Sequence, residues 1–354
     1  METLDKENIL DKYICRHPFR YLDVNHSGSY MCCPSWLPQD ITKQGKFTIT
    51  EAWDGELANK IRQSVTDGTY KYCDKQLCPA LNRLVNTGEP DLDYFVPKEE
   101  FDTSDTSVEE ILFGQDRSCN LRCPSCRPTV IHNYEGDHEW KEAVQDEIKT
   151  SFGGTIKKIL MTGSGDPLYS KIYKDFLINF NKKDFPNLID IQLVTNGNLL
   201  NKRMWSKFNC TEYIDTIDFG IDAGTKDTYE NITRLGGDWD KLINNIKFLA
   251  SLNDRTRDFI FSFVVTQYNY KEMSLLHDII KEIFKNSISG YCMNYRQIAY
   301  WGTGAYSEKE VENISVFNPE HAEYQNFIVE LKKINNFKQN DDELINHNFH
   351  HLLQ

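Results

Sequence analysis

Beyond residue 108, short apolar runs alternate with segments whose apolar residues recur at helical spacing. The runs 111–116, 157–162, 190–195, 215–222, 258–266 and 292–299 predict strands. The segments near 138–151, 169–180, 201–208, 238–252 and 271–285 predict helices, and in the last Met273, Leu276, Ile279, Ile280 and Ile283 fall close to one stripe. Six strands alternating with helices predict an α/β fold with a parallel sheet, open or curled into part of a barrel. In such folds the chemistry collects at the C-terminal ends of the strands. The stretch 86–107, rich in Asp, Glu, Pro, Ser and Thr, breaks this texture and reads as a linker. The expected division is a cysteine-rich unit over 1–85, the linker over 86–107, the main domain over 108–305 and a helical extension over 306–354.

Composition narrows the partners. The 354 residues carry a formal charge of −13, which repels nucleic-acid phosphates and anionic lipid head groups, so neither nucleic acid nor membrane is an expected partner. The opening METLDKENIL lacks the basic-then-apolar layout of a signal peptide, and no run nears the roughly 18 apolar residues of a membrane span. A cytoplasmic location is expected. In that reducing compartment the ten cysteines read as metal or redox residues rather than disulfides. The N-x-S/T tripeptides at Asn25, Asn209, Asn231 and Asn313 then carry no glycosylation meaning.

The candidate chemistry centres on Cys119-Asn-Leu-Arg-Cys123-Pro-Ser-Cys126. Three thiolates on one tight loop suit three irons of a cubane and leave a fourth iron open. A structural zinc site would bring four ligands, for which His132 is the nearest candidate. Gly163-Ser164-Gly165-Asp166-Pro167 follows the strand 157–162 as a turn or a ligand loop, and Thr195-Asn196-Gly197 closes the strand 190–195. Upstream, Cys15, the pair Cys32 and Cys33, Cys73 and Cys78 surround a hairpin through Asn25–Gly28 and a helix. Four separated positions suit one four-thiolate site, for which zinc and iron–sulfur are both allowed. If the pair lies in a strand its side chains point to opposite faces, so one of the two is the ligand.

The ordered series resembles the radical S-adenosylmethionine (SAM) superfamily. Its signature is C-x3-C-x2-C on the loop after the first strand of a partial (β/α)6 barrel. The resemblance implies a [4Fe–4S] cluster on Cys119, Cys123 and Cys126, with SAM chelating the open iron. It implies reductive cleavage of SAM to a 5′-deoxyadenosyl radical that abstracts hydrogen from a substrate. Residues 163–167 look like the family's GGEP segment, so Ser164, Gly165 and Asp166 are expected around the SAM ammonium. Thr195 and Asn196 match its TNG. Gly220–Gly224, with Asp222, and the segment that follows resemble the fourth strand and helix of the peptide-modifying branch, where the arginine matching Arg234 contacts the SAM carboxylate. Asn269 matches an asparagine near the SAM ribose or carboxylate. Ser125 stands where the family often has an aromatic that packs on adenine.

The upstream cysteines resemble the SPASM/twitch module, here placed before the barrel as a small α+β unit. The resemblance implies an auxiliary [4Fe–4S] cluster held by Cys15, Cys73, Cys78 and either Cys32, favoured by the CCPSW run, or Cys33, favoured by counting from Gly28. The implied roles are electron relay, acceptance of an electron from a substrate radical, or substrate anchoring. The expected partners are an external electron donor such as flavodoxin or ferredoxin and a substrate. A peptide or protein comes first as substrate, a small polar sugar or nucleoside second. A zinc-binding interaction protein without catalysis is the reading of a different class. On the strand 292–299, Cys292 and Tyr295 read as hydrogen-atom donors, substrate contacts or core residues. Cys210 reads as chemically silent, and His347, His350 and His351 as a polar tail or a metal site.

Overall fold

The computed structural model describes residues 9–26, 28–32, 42–43, 48–75, 78–132, 138–162, 164–252, 257–340, 344–349 and 352–353. Cys33, Gly163, His350 and His351 lie outside them. The chain divides into two compact units. The first comprises Met1–Asp116, Gly136–Ser164 and Asn181–Asp190, and the second Arg117–Glu135, Gly165–Phe180 and Ile191–Gln354.

The first unit carries strands β1 (Tyr13–Cys15), β2 (Tyr21–Asn25), β3 (Gly28–Tyr30), β4 (Thr42–Lys43), β5 (Phe95–Pro97), β6 (Glu110–Gly114) and β7 (Lys158–Met161). β7, β6 and β2 run parallel side by side, and β3 and β4 continue antiparallel beyond β2. β1 and β5 form a separate antiparallel pair. The expected hairpin through Asn25–Gly28 is thus present, and it feeds directly into the parallel strands. The hairpin strand stops at Tyr30, so Cys32 sits in a bend beyond it. Strand alternation therefore does not orient Cys32. Residues 86–107 include β5, whose pairing with β1 brings Phe95 opposite Cys15.

The second unit carries β8 (Asp190–Thr195), β9 (Thr216–Gly220), β10 (Asp258–Val265), β11 (Gly290–Gln297) and β12 (Leu344–His347). They run in that order with every neighbour parallel. The architecture is mixed α/β with mostly parallel strands. Alternation along β10 decides what each face does: Phe259, Phe261, Phe263 and Val265 are fully buried, whereas Ile260, Ser262 and Val264 on the other face are half-buried. The helices Trp239–Ala250 and Met273–Phe284 pack against each other, and Phe284 of the second meets Phe259 and Phe261 of this buried face. Phe261 stacks 5.7 Å from Phe219 and meets Phe284 edge-on at 5.7 Å. Asp238 caps the first of these helices by accepting from the Lys241 N–H at 3.0 Å. The 17-residue helix Tyr324–Asn340 precedes β12, so the C-terminal segment holds a strand as well as helix. No helix among the described residues is long and apolar enough to cross a membrane.

Replacing Phe261 with alanine removes the centre of this aromatic stack. It should cost about 3–5 kcal/mol, read as a lower denaturation midpoint with an unchanged slope.

Candidate functional site

The cysteine loop is a tight turn of backbone. Cys119 N–H donates to Ile131 O at 2.9 Å, and the N–H groups of Cys126 and Arg127 both donate to Cys123 O, at 2.9 and 2.8 Å. Leu121, fully buried, packs among the three cysteines. Each sulfur accepts one side-chain N–H: Cys119 from Asn196 Nδ2 at 3.9 Å, Cys123 from Arg234 Nη1 at 3.5 Å, and Cys126 from Arg127 Nη2 at 3.3 Å. Burial pushes the Cys119 thiol up to about 12, and the nearby Asp166 adds to this while Arg127 opposes it. Burial raises Cys123 likewise, against Arg234. Soft sulfurs with two guanidinium groups and an amide aimed at them form a donor set that fits an anionic iron–sulfur cluster. Among the described residues no three or more His, Cys, Asp or Glu side chains are arranged to hold a single metal ion. A cubane asks for something different, one thiolate on each of several irons.

Arg234 is placed by the backbone before it. A π turn, Tyr229–Thr233, ends at Arg234, whose N–H bonds back to Tyr229 O at 2.8 Å. Gly220 leaves room for the guanidinium, since a Cβ there would lie 2.5 Å from Nη2. Nη2 pairs with Asp222 Oδ2 at 2.7 Å, the Asp222 side chain being buried and that of Arg234 mostly so. Burial works against the Arg234 charge, but Asp222 and the Cys123 sulfur outweigh it, so its pKa is raised. Asp222 sits at φ +57°, a left-handed position that Asp tolerates better than most residues, and its Oδ1 accepts from Val264 N–H at 2.7 Å. Asn269 locks the same corner. Its Nδ2 donates to Asp222 O and Val264 O, both at 2.9 Å, and its Oδ1 accepts from Thr266 N–H at 2.8 Å.

Asp166 faces inward. Its Oδ2 accepts from Thr195 Oγ1 at 2.8 Å and Asn196 N–H at 2.9 Å, and its Oδ1 from Leu168 N–H at 3.0 Å. Burial raises its pKa, against the pull of those donors. The carboxylate thus ties the 165–168 turn to the end of β8 and, through Asn196, to Cys119 and Asn120, whose Oδ1 accepts from Asn196 Nδ2 at 3.0 Å. Both oxygens are engaged within the chain, so the turn reading and the loop-bracing role meet in one residue. Gly165 lies in this turn. Ser164 belongs to the first unit, where its Oγ donates to Gly114 O at 2.7 Å.

Beside the cysteine loop opens a cleft of about 290 Å³, whose walls include Ser125, Asp222, Thr266, Tyr268, Asn269 and Tyr306. The segment ending at Tyr306 lies directly on the loop: Ala305 N–H donates to Pro124 O at 2.7 Å, and a Cβ on Gly304 would stand 2.7 Å from that same oxygen. Sequence reasoning missed Asn120, Arg127, Tyr268 and Tyr306. Arg127 had a signal, a cation directly after the last cysteine. Tyr306 had none, because its neighbours in space are far away in sequence.

Residues 117–279 match the family model described as the Radical SAM superfamily. No curated protein matches the chain. This match supports SAM-derived radical chemistry and implies an enzyme, together with SAM and a [4Fe–4S] cluster. The matched segment spans the cysteine loop, the Asp166 turn, the Asp222–Arg234 corner and Asn269.

In the second unit, β9, β10 and β11 turn a second, polar face away from the helix-packed core. Asp218, Ser262, Asn294 and Arg296 stand at alternate positions there, and Asn294 Oδ1 accepts from Arg296 Nη2 and Nε at 2.6 and 3.0 Å. Cys292 shares this parity and accepts from Asn346 Nδ2 at 3.5 Å. Tyr295 does not share it. It is fully buried beside Phe263, and its hydroxyl donates to Met273 O at 3.0 Å, which makes it a core residue. Cys210 is buried, with its thiol on Leu177 O. His347 is no frayed tail: it is buried at the end of β12, and its Nδ1 accepts from Phe349 N–H at 3.3 Å.

In the first unit, Cys15, Cys32, Cys73 and Cys78 line one open cavity of about 430 Å³ together with His17, Tyr70 and Tyr94. Burial raises Cys15, and pushes Cys73 up to about 12 with the neighbouring Cys78 adding to it. Tyr70, at φ +49°, accepts from Cys15 N–H at 3.2 Å. Burial lowers His17 to about 3, with Arg16 helping.

Asp166→Asn would turn an amide donor toward groups that already donate. We expect a loss of about 1–3 kcal/mol in denaturant unfolding and lower iron retention after reconstitution, with no change in secondary structure.

Proposed function

We propose that this chain is a radical SAM oxidoreductase that binds a [4Fe–4S] cluster through Cys119, Cys123 and Cys126 and SAM in the adjoining cleft, and abstracts hydrogen from a peptide or protein side chain. A second [4Fe–4S] cluster on Cys15, Cys32, Cys73 and Cys78 would relay electrons, received in the first place from a flavodoxin or ferredoxin. The observation that carries the reading is the set of three N–H donors, one on each sulfur of the loop. When bound, the reduced cluster would supply the electron that cleaves the SAM sulfonium to methionine and a 5′-deoxyadenosyl radical.

The chain's own residues hold and screen. Arg127 and Arg234 offset the charge of the thiolates, and Asn196 fixes Cys119 from the end of β8. Asp222 holds Arg234 in its ion pair and itself stands in the cleft wall. Thr266 and Asn269 shape the rim. Ser125 offers no ring to adenine, and Tyr268 and Tyr306 line the same cleft with aromatic surface that suits a purine. The expected partial (β/α)6 barrel is consistent with the parallel order of β8–β12.

The polar face of β9–β11 favours a second reading of the substrate, a small polar molecule such as a sugar or nucleoside. Asp218, Ser262, Asn294 and Arg296 offer hydrogen bonds rather than the apolar lining that suits a hydrophobic side chain. Asp218 is buried, and burial raises its carboxyl pKa.

Anaerobic reconstitution should give about eight irons and eight sulfides per chain. The reduced protein mixed with SAM should release 5′-deoxyadenosine and methionine. Alanine at Cys119, Cys123 and Cys126 should abolish that release, whereas alanine at Cys15, Cys73 and Cys78 should leave part of it and stop substrate turnover. Intact clusters that never cleave SAM under any reductant would refute the reading, and zinc alone in the purified chain would replace it with the interaction-protein one.

A further inference from the structure

His17 follows β1 two residues after Cys15 and opens the helical turn His17–Arg20. Its imidazole is clamped between two rings. Tyr21 stacks on it at a centroid distance of 4.7 Å and 24° between planes, and Tyr94 at 4.2 Å and 18°. The turn that carries it is pinned as well: buried Arg62 donates Nε to Pro18 O at 2.8 Å and Nη1 to Trp53 O at 2.9 Å. The ring has no freedom to swing toward solvent.

Within that clamp, one polar atom is unanswered. His17 is 8% exposed, and its Nδ1 is buried without a hydrogen-bond partner. Leaving such an atom unsatisfied costs about 1–3 kcal/mol, and proteins rarely build a rigid cradle around one without use for it. The same side chain lines the cavity that the four cysteines line, and it is the only histidine among the described residues that does so. The remaining walls are apolar or aromatic, including Pro18, Leu81 and Phe95. No protein group is shown to answer the nitrogen, while four cysteines line the same cavity.

We propose that His17 donates its Nδ1–H to a sulfur of the second [4Fe–4S] cluster and thereby raises that cluster's reduction potential. The proposal rests on the second cluster of the proposed function. Four cysteines complete the ligation of a cubane, which leaves the imidazole as a donor outside the ligand set. A neutral ring has one N–H to give, and placing it on Nδ1 satisfies the orphan atom. A hydrogen bond to cluster sulfur favours the more negative, reduced state, and in an apolar cavity little water competes for the interaction. His17 is therefore a positioning and tuning residue, since it acts through the cluster and on no substrate atom.

The test uses the full chain carrying alanine at Cys119, Cys123 and Cys126, which isolates the second cluster. Iron analysis and EPR of this protein come first. If it holds no cluster, the reading of Cys15, Cys32, Cys73 and Cys78 fails and the His17 proposal falls with it. If about four irons are present, ¹⁵N-histidine labelling and pulsed EPR of the reduced cluster should show a weak imidazole nitrogen coupling. A His17→Phe variant keeps the stacked ring and removes the donor. It should retain the iron, lose the coupling and show a lower midpoint potential in an EPR-monitored titration. An absent coupling in the labelled parent, or an unchanged potential in the variant, overturns the proposal. Loss of the cluster in a variant whose circular dichroism is unchanged also overturns it, by making His17 a ligand. Should His17→Phe not fold, the coupling in the labelled parent decides alone.

Discussion

Everything around the cysteine loop depends on keeping charge out of water. Three cysteine sulfurs lie close together in a largely buried turn, where an uncompensated anion would be very costly. The chain answers with Arg127 from the loop itself and Arg234 from a π turn far along the sequence. Arg234 is itself mostly buried and needs Asp222, which in turn needs the Val264 amide and a left-handed backbone. Gly220 has to be a glycine for the guanidinium to lie where it does. One electrostatic requirement thus propagates through four segments, and each link is a contact that would be unfavourable without the next.

A second chain of dependence runs through Asp166. It gathers donors from two loops, and so converts the ends of separate elements into one rigid floor beneath Cys119. Its acidity is spent within the protein. The resemblance to the GGEP segment led to the ammonium of SAM as its partner, whereas the carboxylate is occupied by Thr195, Asn196 and Leu168.

Much of the architecture was legible because periodicity reports which face is buried. β10 alternates cleanly, and its four inward residues are three phenylalanines and a valine. The loop of Cys119, Cys123 and Cys126 was legible because spacing alone restricts what three sulfurs can hold. Other features were not legible. Alternation assigns Cys292 and Tyr295 to opposite faces of one strand, but only packing shows that Tyr295 takes the core side. Cys32 was read inside a strand that in fact stops at Tyr30, since a hairpin's length is set by what it pairs with. His347 looked like part of a polar tail and is instead the end of a paired strand. The donors on the three sulfurs come from positions 127, 196 and 234; the resemblance named Asn196 and Arg234 as neighbours of SAM rather than of sulfur, and Arg127 went unnamed.

The hydrogen bond from Ala305 to Pro124 has a consequence in time as well as space. Loop closure between such distant points is among the slow, late events of folding, and on the ribosome residues 302–306 emerge long after the three cysteines. The wall that carries Tyr306 is therefore the last to arrive. Until then the Pro124–Ser125 side of the cysteine loop lacks the neighbour that the finished fold lays against it.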